Sequence, residues 1–135
     1  MSSQFTYQRR VEFRDTDMAG IVHFSVFFAY MEEAEHAFLR SLGMSVVSII
    51  EGEKISWPRV AAECNYRRAI RFEQVIDIKL SIDRIGDKSI AYRFEFLESG
   101  QVVADGKVTA VCCKINHGQP PQSIAIPTVI REKLA

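Results

Sequence analysis

The sequence predicts an α+β domain in which one antiparallel sheet packs against one long, mostly apolar helix. Three observations carry this. Apolar residues fall on alternate positions from Phe5 to Phe13. A run opened by Ser25 and closed by Gly43 is apolar over most of its circumference. Residues 59–115 divide into four segments rich in β-branched and aromatic side chains, separated by turn residues.

Phe5, Tyr7, Val11 and Phe13 share the period of two that marks a half-buried strand, so the first strand is expected over 5–13. Asp15-Thr16-Asp17 and Gly20 then break both periodicities, which makes 14–24 a connecting loop. Ser25 is placed to cap the helix that follows by accepting a backbone N–H bond, and Gly43 to end it in the left-handed conformation. Phe27, Met31, Ala34, Phe38 and Leu42 form one stripe of that helix, widened by Phe28, Tyr30, Ala37 and Leu39. Such a helix must be wrapped by the sheet.

Residues 45–53 read equally as a short helix or a loop, and Trp57-Pro58 restarts an extended chain, because a residue before proline is pushed out of the helical region. The strands expected over 59–66, 72–84, 88–97 and 102–115 are separated by Arg67-Arg68, Gly86-Asp87 and Ser99-Gly100; links this short imply antiparallel neighbours. Ile76, Ile78, Leu80 and Ile82 share one face, as do Ile90, Tyr92, Phe94 and Phe96. Pro127 is expected as the first residue of a final helix through Leu134.

A chain of 135 residues, 47% hydrophobic and 25% charged, reads as a single domain spanning 1–135 with a core that needs no staple. Cys64, Cys112 and Cys113 are odd in number and two are adjacent, which fits buried thiols rather than disulfides or a zinc site. Seventeen basic residues balance seventeen acidic ones without a long basic run, so neither nucleic acid nor a membrane surface is expected as partner. The polar start Met1-Ser2-Ser3-Gln4 and the lack of a spanning apolar run lead to the expectation of a cytoplasmic protein. Arg67, Arg68 and Arg71 form the only basic cluster, read as a solvated turn or as a seat for a small anion.

The stretch Phe13-Arg14-Asp15-Thr16-Asp17-Met18-Ala19-Gly20-Ile21-Val22-His23-Phe24, leaving a strand and entering an apolar helix, resembles the motif of the 4-hydroxybenzoyl-CoA thioesterase family. Two carboxylates two residues apart, a glycine three after the second and a β-branched pair after that glycine make the match specific. The order of elements over nearly the whole chain is similar to that family's hotdog domain, a curved antiparallel sheet wrapped around a central helix. The resemblance implies a thioester hydrolase acting on an acyl-CoA or acyl-carrier-protein substrate, without metal or organic cofactor.

By its place in the motif, Asp17 is implied as the carboxylate that acts on the thioester, either as nucleophile or as general base for water. The competing reading is turn chemistry, in which Asp side chains bond their own backbone; that role is expected of Asp15. The N-terminus of the coming helix offers unpaired N–H groups and the positive end of its dipole, and the Phe24 N–H is the expected oxyanion donor. Gly20 is expected to let the loop pass close to substrate.

One branch of the family has an aromatic residue and then a histidine where this chain has His23-Phe24, so His23 is a candidate proton carrier with a structural role as its rival. Lys88-Ser89, after the Gly86-Asp87 turn, corresponds to a basic-Ser pair that helps hold the CoA phosphates; Arg84 and Arg93 are lesser candidates. Glu32 or Glu33 is expected to face the acyl pocket, and His36 to pair with Glu32. His117 falls in a polar loop, and no Gly-x-Ser-x-Gly elbow is present. Family members associate through their sheets, which implies a homo-oligomer, expected to be a tetramer. The alternative function is a non-catalytic protein of the same fold that binds acyl groups or CoA. A dehydratase of this fold pairs a His and a carboxylate elsewhere, an arrangement not seen here.

Overall fold

The computed structural model describes residues 4–135; Met1–Ser3, part of the polar start, lie outside the described residues. In chain order the elements are β1 (Phe5–Arg10), a 3-10 turn (Phe13–Asp15), α1 (Val26–Ser41), β2 (Ser48–Ile50), β3 (Glu53–Ser56), β4 (Arg59–Tyr66), β5 (Val75–Ile85), β6 (Ser89–Glu98), β7 (Gln101–Val111), β8 (Cys113–Lys114), β9 (Gln122–Ser123) and α2 (Thr128–Leu134). The five-stranded sheet runs β1-β5-β6-β7-β4, antiparallel throughout, and a small sheet runs β2-β3-β8-β9.

Register shifts at Arg59/Ala61, Ile82/Arg84 and Phe96/Leu97 bend the large sheet, as an extra residue in one strand of a pair does. Helix α1 packs into that curve, with Phe27, Tyr30, Met31, Ala34 and Phe38 buried against Ile76, Ile78, Leu80, Tyr92, Phe94 and Phe96. Each large apolar side chain so buried contributes about 1.5–3 kcal/mol, and Ala34 less. Over β7 the fit is tight, since a Cβ on Gly106 would stand 2.7 Å from the Met31 sulfur and 2.9 Å from the Glu63 carbonyl. Gly43 ends the helix at φ +75°, with the Met44 N–H closing on Leu39 O at 2.8 Å.

Several expectations need correction. The first strand stops at Arg10, because Val11 turns in to bond Gln74 and Glu73 and the chain coils into the 3-10 turn; Phe13 is left 77% exposed. Ser25 is helical in its own backbone and makes no side-chain cap, its hydroxyl being turned to His23 instead. Residues 48–56 are neither helix nor loop but a hairpin turned at Glu51-Gly52, both at positive φ. Strands β4 and β5 are not neighbours: Arg67 and Arg68 carry the chain across, and β4 pairs with β7 at the far edge. The last long strand is broken at Cys112, and Pro127 precedes the final helix instead of opening it. His36 has no bond to Glu32, and its Nε2 is buried without a partner among the described residues; desolvation holds its pKa below the ordinary histidine value.

Candidate active site

Residues 15–23 form a short closed loop between the 3-10 turn and α1. Its neck is a bridge between Thr16 and Val22, and the Asp17 N–H bonds Ile21 O at 2.9 Å. At its tip the Gly20 N–H reaches Asp17 O at 2.9 Å, a tight turn that needs φ +79° at Gly20. Gly20 is thus required by the turn, with Arg71 rather than a cavity lying over it at 3.4 Å from its carbonyl. Asp17 makes a turn bond and keeps one carboxylate oxygen free. Its Oδ1 accepts the Ala19 N–H at 2.8 Å, which is turn chemistry, while Oδ2 has no partner among the described residues.

The loop is anchored from beneath by Asp15, which is 6% exposed. The Asp15 carboxylate accepts the Tyr30 hydroxyl at 2.8 Å, the Glu12 N–H at 2.8 Å and Arg9 Nη1 at 3.1 Å. Arg9 also bonds Glu33 at 2.8 Å and lies over the Tyr30 ring at 4.9 Å, and Tyr7 reaches Glu33 at 3.1 Å. Glu33 therefore faces β1, not an acyl pocket. Burial and the bond to Asp15 push the Tyr30 hydroxyl well above the ordinary tyrosine pKa, so it stays a donor. The Asp15 carbonyl in turn takes the His23 N–H at 3.0 Å, so one buried residue fixes both the chain leading to Asp17 and the entrance to α1.

At that entrance the Phe24 carbonyl accepts the Tyr66 hydroxyl at 2.9 Å, and the Phe24 N–H has no acceptor among the described residues. His23 lies in the same turn, but its Nδ1 is 2.8 Å from Ser25 Oγ and its ring stacks on Phe24 at 4.6 Å, with no bond to Asp17. Asp17, Ile21, Val22, Phe24, Phe27 and Tyr66 line one cavity of about 400 Å³, whose remaining wall is the segment Arg67–Ile70. A larger groove past Tyr7, Arg9 and Glu33 is open; Arg9 and Glu33 pair with each other there, and Arg10, Glu12 and Arg14 also line it.

The other sequence candidates lie elsewhere. Glu32 borders a separate depression with Phe28, Glu35 and Arg59. There Glu35, 2% exposed, pairs with Arg59, yet desolvation outweighs the guanidinium and pushes its pKa up to about 7. Lys88 and Ser89 stand at the opposite end of β6 from Phe96, which packs on Phe27; seven steps of ~3.3 Å put them ~23 Å from the cavity within one chain. Sequence reasoning missed Arg9 and Tyr66, and it read Tyr30 as part of the helix stripe without its bond to Asp15. Arg9 carried a signal, since it falls on the odd, inward-facing positions of β1 with Phe5 and Tyr7. No helix among the described residues is long and apolar enough to cross a membrane, and none of their His, Cys, Asp or Glu side chains group as a metal site.

A model of the thioesterase-like superfamily matches residues 11–134. The chain is similar to a gentisyl-coenzyme A thioesterase of known structure, at 33% identity and TM-score 0.85, covering 97% of this chain and 100% of that one. It is 28% identical over 111 residues to 1,4-dihydroxy-2-naphthoyl-CoA hydrolase of Prochlorococcus marinus (strain NATL2A), covering 77% of this chain and 72% of that protein. A 1,4-dihydroxy-2-naphthoyl-CoA thioesterase from Synechocystis has the same fold, with TM-score 0.86 at 24% identity, over 98% of this chain and 96% of that one.

Proposed function

The chain belongs to the thioesterase-like superfamily and has the hotdog fold, and from this premise we propose that it hydrolyses acyl-CoA thioesters with Asp17 as the reacting carboxylate and the Phe24 N–H as oxyanion donor. The observation that carries the reading is that the free Asp17 carboxylate and the residue bearing the unpaired Phe24 N–H line one cavity at the N-terminus of α1.

In one route Asp17 Oδ2 attacks the thioester carbon. The carbonyl oxygen becomes an oxyanion held by the Phe24 N–H and the positive helix end, the C–S bond breaks, and CoA leaves as a thiolate that takes up a proton. Water then opens the mixed anhydride, freeing the acid and restoring Asp17. In the other, Asp17 takes a proton from water as the water attacks the same carbon; the oxyanion that forms is held by the same Phe24 N–H, the C–S bond breaks to free the acid, and the leaving CoA thiolate takes up the proton, restoring Asp17. Rapid-quench mass spectrometry separates the routes: an acylated enzyme appears only in the first.

His23, exposed in the same turn, is assigned a lesser part as proton carrier; His23→Asn should then lower turnover and change its pH profile, and an unchanged profile rejects it. The reading includes a cytoplasmic location and a homo-oligomer. Strand β4 pairs with another described strand on one side only and exposes Val60 and Ala61, an edge and face that a second copy would cover. Only a second copy can bring Lys88-Ser89, Glu32 or both towards the cavity; light scattering that finds a monomer removes them from the site. The function itself is tested by thiol release from a panel of aryl, short and medium acyl-CoAs and an acyl-carrier-protein thioester. Wild type should turn over at least one, and Asp17→Asn should lose on the order of a hundredfold or more in kcat. No release by wild type across the panel returns the chain to the binding-protein alternative.

A further inference from the structure

We propose that Arg68 forms an anion subsite within the Asp17 cavity and selects acyl groups that carry a carboxylate at the end remote from the thioester. The inference rests on the thioesterase reading and adds a substrate class to it.

The wall that carries Arg68 is held rigidly. The N–H groups of Arg67 and Arg68 both bond Val103 O, at 2.9 and 3.1 Å, and two residues later Ile70 O accepts the Val22 N–H at 2.8 Å. Val103 and Ile70 are themselves buried, so the segment between them has little freedom to move away. Of the three guanidiniums here, Arg67 is neutralised by Asp105, through Nε at 2.9 Å and through Nη2. Asp105 is fully engaged by Asn65 and Arg67, and their bonds hold its carboxyl below the ordinary pKa. Arg71 leans on the Gly20 carbonyl at the outside of the loop. Arg68 alone lines the cavity with no acidic partner among the described residues.

The charge pattern gives the uncompensated guanidinium a function. A cavity of about 400 Å³ with Asp17 as its acid and mostly apolar walls repels an anionic acyl group unless a cation faces it. Arg68 supplies that cation, and its planar fork matches a carboxylate through two parallel bonds. The phosphates of CoA lie at the far end of the pantetheine arm. With the thioester at Asp17 they are outside the cavity, so the anion that reaches Arg68 belongs to the acyl group.

The test compares 4-carboxybenzoyl-CoA with 4-methylbenzoyl-CoA, which differ at the remote end alone, in wild type, Arg68→Met and Arg68→Lys. Wild type should favour the carboxylate, and Arg68→Met should lower the ratio of kcat/KM values by about tenfold or more, mainly through KM, with Arg68→Lys between. Equal losses on both substrates overturn the proposal. So does a loss seen with CoA thioesters that disappears with the matching N-acetylcysteamine thioesters, since that assigns Arg68 to the nucleotide phosphates. Calorimetric titration of 4-carboxybenzoate against 4-methylbenzoate reads the subsite without turnover: no preference in wild type, or the same preference in Arg68→Met, rejects it even if no thioester is hydrolysed.

Discussion

Tyr30→Phe removes one oxygen from the centre of the loop's anchorage and nothing else. The Tyr30 hydroxyl is 2.8 Å from Asp15 Oδ2, and the two residues are 0% and 6% exposed, so water cannot replace the lost donor without entering the core. A bond to a charged group is worth about 1.5–3 kcal/mol, and Asp15 keeps its bonds to the Glu12 N–H and Arg9; the expected loss of unfolding free energy is therefore about 2 kcal/mol. Asp15→Ala should cost more, about 3–5 kcal/mol, because it strands the Tyr30 hydroxyl and the Glu12 N–H and leaves Arg9 to Glu33 alone. Urea denaturation followed by fluorescence reads both. Because the Asp15 carbonyl also holds the His23 N–H, slackening this residue should change the spacing of Asp17 from the Phe24 N–H and lower kcat about tenfold, with KM little altered. A Tyr30→Phe variant within about 0.5 kcal/mol of wild type, with unchanged kcat, would refute the claim that Asp15 depends on this donor.

Two further perturbations probe the frame around the site. Gly106→Ala puts a Cβ 2.7 Å from the Met31 sulfur and 2.9 Å from the Glu63 carbonyl; the thioether can swing aside but the backbone oxygen cannot, so a loss of about 1–3 kcal/mol is expected in urea denaturation. Truncating Met31 as well should recover only part of it. Glu35 holds its proton more tightly folded, with pKa about 7, than unfolded at 4.5, so its contribution to stability is present below the unfolded value and is lost as pH rises towards 7. The shift corresponds to about 3 kcal/mol at most. Glu35→Gln should abolish this term, so the gap between variant and wild type should move in the variant's favour from pH 5 to pH 8; a gap independent of pH contradicts a proton held by burial against Arg59.

Much of the frame was legible because periodicity reports directly on burial. The inward faces of β5 and β6, the stripe of α1 and the stop at Gly43 all follow from spacing, since each depends on contacts that repeat along an element. Topology was harder. Short links were expected to join neighbouring strands, but Arg67-Arg68 crosses from the β4 edge to the other side of the sheet, and what steers it is the pairing of two consecutive N–H groups with Val103 O, a contact remote in sequence. The β2–β3 hairpin was missed because its strands are three and four residues long, too short for alternation to declare itself.

At the site, the two sequence readings of the Asp-x-Asp pair were posed as rivals, and the geometry shows why they need not be. Turn bonding at Asp17 occupies Oδ1 alone, and by fixing the carboxylate's rotation it leaves Oδ2 in a defined position without a partner. Asp15 carries the structural load, so Asp17 does not have to. Its partners could not be read from the motif, because Arg9 and Tyr30 lie on other elements and meet it only when β1, the 3-10 turn and α1 converge. A charged residue on the inward face of β1 was the one local sign that something acidic had to be buried opposite it. Arg68 is a different case: it is exposed, so its charge needs no partner within the fold, and what sets it apart is that it lines the Asp17 cavity beside a neighbour that is fully paired.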